Sequence, residues 1–208
     1  MAADHIHWLG HATFRVDDGA TTIYIDPWKL PADAPKADVI LITHSHFDHY
    51  SAEDIAKIEK PTTVFVAPAD VSSQLPGRHV VTAAPGGSYQ AGVLKVTAVA
   101  AYNTNKVFHP KANGWVGYVV TLSTGQRIYH AGDSDVTPEM QAVQTDVALM
   151  PSGGTYTMTA AEVAAAANVF KPAVLIPMHW GDIVGSRGDA DGVAKAFAGT
   201  TVIKPVER

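Results

Sequence analysis

Three imidazoles and one carboxylate fall within the short segment His44-Ser45-His46-Phe47-Asp48-His49. Imidazole nitrogens and carboxylate oxygens are ligands that zinc, manganese and iron accept in proteins. The sequence contains no cysteine, so any metal site in this chain must rely on histidine and carboxylate side chains. The alternative is a polar turn whose histidines face solvent, but such tight clustering favours metal binding.

The residues before this cluster predict how its side chains are positioned. Residues 38–43 contain the aliphatic run Val39-Ile40-Leu41-Ile42, which is typical of a strand buried on both faces. At the end of such a strand His44 and His46 should project to the same side, because side chains alternate along a strand. A helix start after this point should turn Asp48 and His49 toward a neighbouring position. One segment could therefore supply ligands for two adjacent metals.

The rest of the chain predicts two sheets flanked by helices. Residues 6–9, 13–16 and 22–25 read as an antiparallel meander, and the middle of the chain is mostly β. Strands and helices alternate toward the end, where Thr159 and Glu162 form a capping-box pattern and a last helix is expected over 192–197. We expect an α/β (α+β) protein with a four-layer αββα sandwich, formed by one domain over residues 1–208.

Several motifs resemble the metallo-β-lactamase superfamily, beginning with the HxHxDH pattern of residues 44–49. The similarity extends over nearly the whole chain and is closest to the ascorbate-6-phosphate lactonase-like branch. Its further motifs are Trp8-Leu9-Gly10-His11-Ala12-Thr13-Phe14, Ile25-Asp26-Pro27-Trp28, Tyr129-His130-Ala131-Gly132-Asp133 and Ile176-Pro177-Met178-His179. The resemblance implies the metallo-β-lactamase fold and a metal-dependent hydrolase.

The resemblance also implies a set of metal ligands. His44 and His46 would bind a first metal, and Asp48 and His49 would bind a second. Asp133 would bridge the two metals, which a carboxylate can do because each oxygen can engage a different cation. His179 would complete the second site.

The third ligand of the first metal departs from the family pattern. The family usually has a histidine just after the strand that corresponds to residues 93–99, whereas this chain continues from Ala101 to Asn105 without one. We predict that His109 is the ligand, because imidazole is the stronger donor to a zinc-like cation. The alternative is Asn103, which would leave a weaker first site.

Asp48 and His11 are the predicted catalytic residues. Asp48 could hold or accept a proton as well as bind metal. His11 and Asp26 lie in motifs that resemble the family's N-terminal segments, where a hydrogen bond that orients a metal ligand is expected. A core or turn role is the alternative for both.

The predicted reaction is hydrolysis by a metal-activated hydroxide, with two divalent cations, zinc first and manganese or iron as alternatives. The expected substrate is a small, anionic ester, lactone or phosphoester. The loop 152–156 could approach an anionic group through its amides, and Lys106, Lys111 or Arg187 could pair with it. Each of these features is equally typical of an ordinary loop or a solvated surface. The alternatives are an iron-dependent redox enzyme of the same fold and a metal-binding protein without turnover.

Charge and hydropathy indicate which classes of binding partner are expected. The net charge of −5 argues against the broad cationic surface that nucleic acid or anionic lipid would need. No run approaches the roughly 20 apolar residues of a membrane-spanning helix, so no membrane insertion is expected. Residues 1–8 lack the pattern of a secretory signal, which favours a cytoplasmic protein. A small-molecule substrate is the expected partner, and the sequence does not predict an oligomeric state.

Overall fold

The computed structural model describes residues 3–208, which form two β-sheets and five α-helices. The strands are β1 (Ile6–Gly10), β2 (Thr13–Asp18), β3 (Thr21–Ile25), β4 (Val39–Leu41), β5 (Val64–Pro68), β6 (His79–Ala83), β7 (Ser88–Ala91), β8 (Leu94–Ala100), β9 (Val116–Thr121), β10 (Arg127–His130), β11 (Val147–Pro151), β12 (Val174–Met178) and β13 (Thr200–Thr201). The helices are α1 (Ala52–Ile58), α2 (Ala69–Ser72), α3 (Pro138–Gln141), α4 (Ala160–Phe170) and α5 (Arg187–Ala196), with one 3₁₀ turn at Lys111–Asn113. None of these helices has the length and apolar character needed to cross a membrane.

Each sheet has an antiparallel part and a parallel part. The first sheet has the order β1-β2-β3-β4-β5-β6, in which β1 to β3 form the predicted meander and β3 to β6 run parallel. The second has the order β13-β12-β11-β10-β9-β8-β7, in which β10 to β13 run parallel. Parallel strands end on the same side of a sheet. The residues that follow β4 therefore lie at one edge of the first sheet, and those that follow β10 and β12 lie together at one edge of the second.

The strand alternation accounts for the layers. Val39 and Leu41 of β4 point into the core between the two sheets, whereas Ile40 points outward and packs with Ile55 and Ile58 of α1. In the second sheet, Val147 and Leu149 face the same central core, and Ala148 faces outward to the side covered by α3, α4 and α5. The result is the four-layer αββα arrangement that the sequence predicts.

Among the element boundaries that differ from the predicted ones, those of β4 and the last helix have a clear physical cause. Strand β4 ends at Leu41 instead of continuing to Thr43, because the chain then leaves the first sheet and the Thr43 carbonyl accepts a hydrogen bond from the Val116 amide of the second sheet. The segment His44 to His49 therefore lies in a loop and turn, and α1 starts only at Ala52. The last helix begins at Arg187 and not at 192, because Ser186 and Asp189 form a capping box that offsets the glycines inside this helix.

Candidate metal centre

The predicted ligands converge where strands of both sheets end. The loop after β4 carries His44 to His49 from the first sheet, and the segments after β10 and β12 carry Asp133 and His179 from the second. His109 reaches the same place from the loop between β8 and β9. The arrangement therefore joins side chains that are far apart in the sequence.

Two groups of side chains could each hold a cation. His44, His46 and His109 place one nitrogen each within 4.8 Å of one another, and 3.2 Å separates His44 Nε2 from His46 Nδ1. The second group consists of His11, Asp48, His49 and His179, whose donor atoms also lie within 4.8 Å of one another. The structure thus brings together every residue that the sequence predicts as a ligand, and it places His109 in the first group.

Asp133 lies between these two groups. Its Oδ2 atom is 3.2 Å from His109 Nε2 and 3.1 Å from His179 Nε2, and its Oδ1 atom is 3.3 Å from His49 Nε2. The chain reaches this position through Gly132, whose φ is +62° and whose added Cβ would lie 3.2 Å from Thr43 Cβ. A side chain at that position would be strained and crowded, so glycine there allows the carboxylate to sit between the two groups.

Hydrogen bonds behind the imidazoles fix which nitrogen faces the centre. Asp26 accepts from His49 Nδ1 at 2.7 Å and from the Thr43 hydroxyl at 2.7 Å. Since the Thr43 hydroxyl donates to Asp26, it accepts from His44 Nδ1, which lies 2.9 Å away. The Nε2 atoms of His44 and His49 therefore face the centre, which is the usual arrangement around metal-binding histidines.

Asn103 orients the His109 ring from behind, as Asp26 and Thr43 orient the rings of His49 and His44. Its Oδ1 atom accepts from His109 Nδ1 at 3.1 Å and from the His109 backbone amide at 2.9 Å, while its Nδ2 donates to the Tyr156 carbonyl at 3.0 Å. The amide oxygen is already committed behind the ring, and His109 Nε2 faces Asp133. This geometry favours His109 as a ligand and gives Asn103 a positioning role.

His11 contacts Asp48 from the side of the second group. Its Nε2 lies 2.9 Å from Asp48 Oδ2, and the Asp48 oxygen also lies 3.8 Å from His179 Nε2. The backbone at His11, Asp26 and His179 has positive φ values of 50°, 50° and 59°. The His11 carbonyl accepts from the His179 amide at 2.8 Å, which joins two of these turns directly.

The buried carboxylates and imidazoles shift one another's pKa values. Burial opposes ionisation of Asp133, but the neighbouring His179 and His49 charges outweigh it and hold the pKa of this carboxyl well below its usual range. Burial likewise opposes protonation of His49, yet Asp133 and Asp26 raise its pKa well above that of an ordinary histidine. Burial lowers the pKa of His44 far below the usual value, so this imidazole is neutral and available as a ligand.

Burial opposes ionisation of Asp48, but the hydrogen bond from His11 and the charge of His49 together lower the pKa of this carboxyl to about 2. Asp48 is therefore a carboxylate at neutral pH. A cation that binds beside it must displace the proton held by His49, since a histidine binds metal through a free lone pair.

Several buried atoms in the centre lack a hydrogen-bond partner. They are His49 Nε2, His109 Nε2, His179 Nε2 and Asp133 Oδ1. Unpartnered polar atoms are uncommon in protein interiors, and here they converge on one point between the two groups. Nitrogen and oxygen donors of this kind fit zinc, manganese or iron ions, so the residues present fit a divalent metal centre.

The role of Asp26 can be tested separately from catalysis. Replacement by alanine would remove the acceptor for the Thr43 amide, the Thr43 hydroxyl and His49 Nδ1, all of which are buried. We expect the free energy of unfolding of the metal-free protein to fall by about 3–5 kcal/mol, measured by urea denaturation.

A matched control for Asp26→Ala is Asp18→Ala, because Asp18 is also buried and accepts two hydrogen bonds from Ser123, at the far end of β2. It should lower stability without changing metal affinity, whereas Asp26→Ala should lower both. If Asp26→Ala left the metal affinity unchanged, Asp26 would have no role in orienting the metal ligands.

The cleft above these residues is small and has a volume of about 270 Å³. Phe47, Phe108, Tyr156 and Ile183 line it together with side chains of the two candidate ligand groups and Asp133. A larger groove of about 610 Å³ lies over the outer face of β8 and β9, but no histidine is among its lining residues. We therefore take the smaller cleft as the candidate functional site, because the histidine and aspartate side chains line it.

Trp115 and Thr43 are site residues that the motifs do not reveal. The Trp115 ring lies 5.0 Å from the His44 ring and 4.8 Å from the His46 ring, and its Nε1 donates to Asp70 at 2.8 Å. Trp115 forms a wall of the first group but belongs to no recognisable motif. For Thr43, the available signal was a hydroxyl at the end of an aliphatic run that leads into the cluster.

Comparisons with known proteins identify the family to which the chain belongs. Residues 5–179 match the family described as the beta-lactamase superfamily domain. A UPF0173 metal-dependent hydrolase from Thermoplasma acidophilum is 33% identical over 97% of each chain. The crystal structure of a Parabacteroides distasonis protein is 31% identical, has a TM-score of 0.84 and covers 97% of this chain and 93% of its own. Igni18, a metallo hydrolase from Ignicoccus hospitalis, is 25% identical with a TM-score of 0.78, covering 97% of this chain and 95% of its own. The chain therefore belongs to the metallo-β-lactamase superfamily, among its UPF0173 metal-dependent hydrolases.

Proposed function

We propose that this protein hydrolyses a small ester, lactone or phosphoester with two divalent cations held by the two groups of side chains. The observation that carries the proposal is the position of Asp133, whose two oxygens lie within 3.3 Å of His49, His109 and His179. His44, His46 and His109 form the first site. Asp48, His49 and His179 form the second, and Asp133 belongs to both.

Two divalent ions at these positions would supply a hydroxide nucleophile near neutral pH and polarise the scissile carbonyl or phosphoryl oxygen. The protein's own contribution is to hold the ligands in fixed orientations. Asp26, Thr43 and Asn103 orient the ring nitrogens from behind, and His11 orients Asp48. Asp48 is ionised at neutral pH, and its Oδ2 atom can accept the proton that the attacking water releases.

The lactonase-like branch suggested by the motifs and the choice of zinc stay predictions. The metal content of protein purified without oxygen identifies the native ion and tests the alternative of iron-dependent redox chemistry. Lactones, p-nitrophenyl esters and phosphodiesters form the substrate panel, since the centre could act on any of these bonds.

Metal removal should abolish turnover. After chelation we expect the rate on the best substrate of the panel to fall more than about a hundredfold, because no side chain in the cleft replaces the activated water. Zinc, manganese or iron should restore the rate and raise the unfolding temperature, since a ligand that binds only the folded protein stabilises it. Absence of turnover on every substrate with both sites loaded would contradict the hydrolase and leave a metal-binding protein.

A further inference from the structure

The mouth of the metal cleft is bordered by four apolar or aromatic side chains, Phe47, Phe108, Tyr156 and Ile183, which we call the apolar collar. Phe47 is 67% exposed, Phe108 43% and Ile183 41%, so three large apolar side chains meet solvent around one opening. Exposed apolar residues scattered singly need no explanation, but a group of them around a cleft marks a binding surface.

The collar is held in place by aromatic contacts. The Phe108 and Tyr156 rings pack edge to face with centroids 4.8 Å apart, and the Phe47 ring packs on Trp28 at 6.0 Å. Phe47 lies inside the metal-binding motif, and Phe108 directly precedes His109. The apolar surface is therefore fixed immediately beside the metal ligands, where the group next to a scissile bond would lie.

No lysine or arginine is among the residues that line this cleft. The three basic residues that the sequence offered for an anionic group are paired with carboxylates: Lys106 with Asp135, Lys111 with Glu139 and Arg187 with Asp191. Lys29, which lies over the Trp28 ring beside the collar, is paired with Asp182 at 2.6 Å. An anionic group at the collar would lose its hydration without gaining a free cation.

In the glycine-containing loop 152–156, three of the five backbone amides are bonded within the protein. Its Ser152, Gly154 and Thr155 amides donate to carbonyl oxygens of the protein, those of Met178, Met158 and Gly153. Amides that are already bonded within the protein cannot form an anion-binding nest. An anionic group at the collar therefore finds no lysine or arginine among the residues that line the cleft, and three of the five loop amides are already bonded.

We propose that the cleft accepts an uncharged substrate, a carboxylic ester or lactone with a short alkyl or aryl group seated in the apolar collar. The cleft volume of about 270 Å³ is just below the roughly 300–1,000 Å³ typical of ligand pockets, so the substrate is small. The inference rests on the proposed hydrolase and narrows it to substrates whose group at the collar is uncharged.

The test compares two hydroxamic acids of equal length that bind metal through the same group. Hexanohydroxamic acid ends in a methyl group, and adipic monohydroxamic acid ends in a carboxylate. Their affinities for the zinc-loaded protein are measured by calorimetry. We expect the methyl-terminated compound to bind about tenfold more tightly, because its tail is buried on the collar and the carboxylate is desolvated there.

Variants of the collar residues test whether this preference arises at the apolar collar. Phe47→Ser and Phe108→Ser should each reduce this preference at least about threefold, and Ile183→Lys should reverse it by supplying a cation. Val169→Ser is the matched control, because Val169 is 56% exposed on α4 and does not line the cleft. All variants should retain the metal content of the unmodified protein, which shows that the centre is intact.

The outcomes separate this inference from the proposed function. Equal affinities, tighter binding of the carboxylate or no binding of either compound overturns the uncharged substrate, even if the panel reveals turnover. A clear preference for the methyl-terminated compound with no turnover on any ester or lactone supports the collar and contradicts the hydrolase.

Discussion

Replacement of Asp133 by asparagine should lower turnover more than about a hundredfold while the protein stays folded. The substitution keeps the shape of the side chain but removes the charge that faces His49, His109 and His179. A neutral amide cannot offer an anionic oxygen to both cations, so we also expect less than full metal occupancy. Rates are measured on the best substrate of the panel, and metal content is measured by elemental analysis.

Asp135→Asn is a close control for this change. Asp135 is as buried as Asp133 but binds Lys106 and the Thr104 amide, away from the imidazoles. Its replacement should lower stability and leave metal content unchanged. If Asp133→Asn retained both metals and full turnover, the carboxylate would not be shared between the two groups.

His109→Ala should weaken the first metal site more than about a hundredfold, whereas Asn103→Ala should weaken it about 10- to 100-fold. The ring supplies the nitrogen that faces the centre, and the amide only fixes its orientation through Oδ1. Metal affinity is measured by competition with a chromophoric chelator. Asn103→Asp keeps an acceptor for His109 Nδ1 and should restore most of the affinity lost in Asn103→Ala.

Damage to the loop could imitate ligand loss, because the loop also carries Phe108 and the contact with Tyr156. The unfolding midpoint of each metal-free variant is therefore compared with that of His79→Ala, which removes an exposed histidine far from the centre. A larger loss of the first metal in Asn103→Ala than in His109→Ala, at equal metal-free stability, would make the amide the ligand.

The layers of the fold could be predicted because they follow from local patterns. The aliphatic runs at β4 and β11 have side chains on both faces of a sheet, and such strands need a second sheet on one side and helices on the other. The capping residues Thr159 and Glu162 marked the start of α4 correctly. The last helix starts before the predicted residue 192, because Gly188 and Gly192 weaken its helical pattern in the sequence whereas the Ser186 capping box starts it at Arg187.

The centre could be predicted only in part, because its ligands form one compact motif and several distant residues. The histidine motif was visible in six consecutive residues, but the loop that carries His109 is irregular and its path is set by the Asn103 bonds. The charge of the cleft could not be predicted from the sequence, because it depends on which basic residues are paired with carboxylates. Lys106 is neutralised by Asp135, 29 residues away in the sequence, and no local pattern reveals a pair of that separation.

The left-handed backbone at His11 and His179 sets stability against function at the same positions. Side chains in this region cost roughly 1–2 kcal/mol each, a cost that glycine does not incur. Selection for stability alone would favour glycine at these two positions, yet each of these residues presents an imidazole to the centre. Lineages that lost the need for the reaction would be expected to relax here first, since the substitutions that remove the chemistry also relieve the backbone.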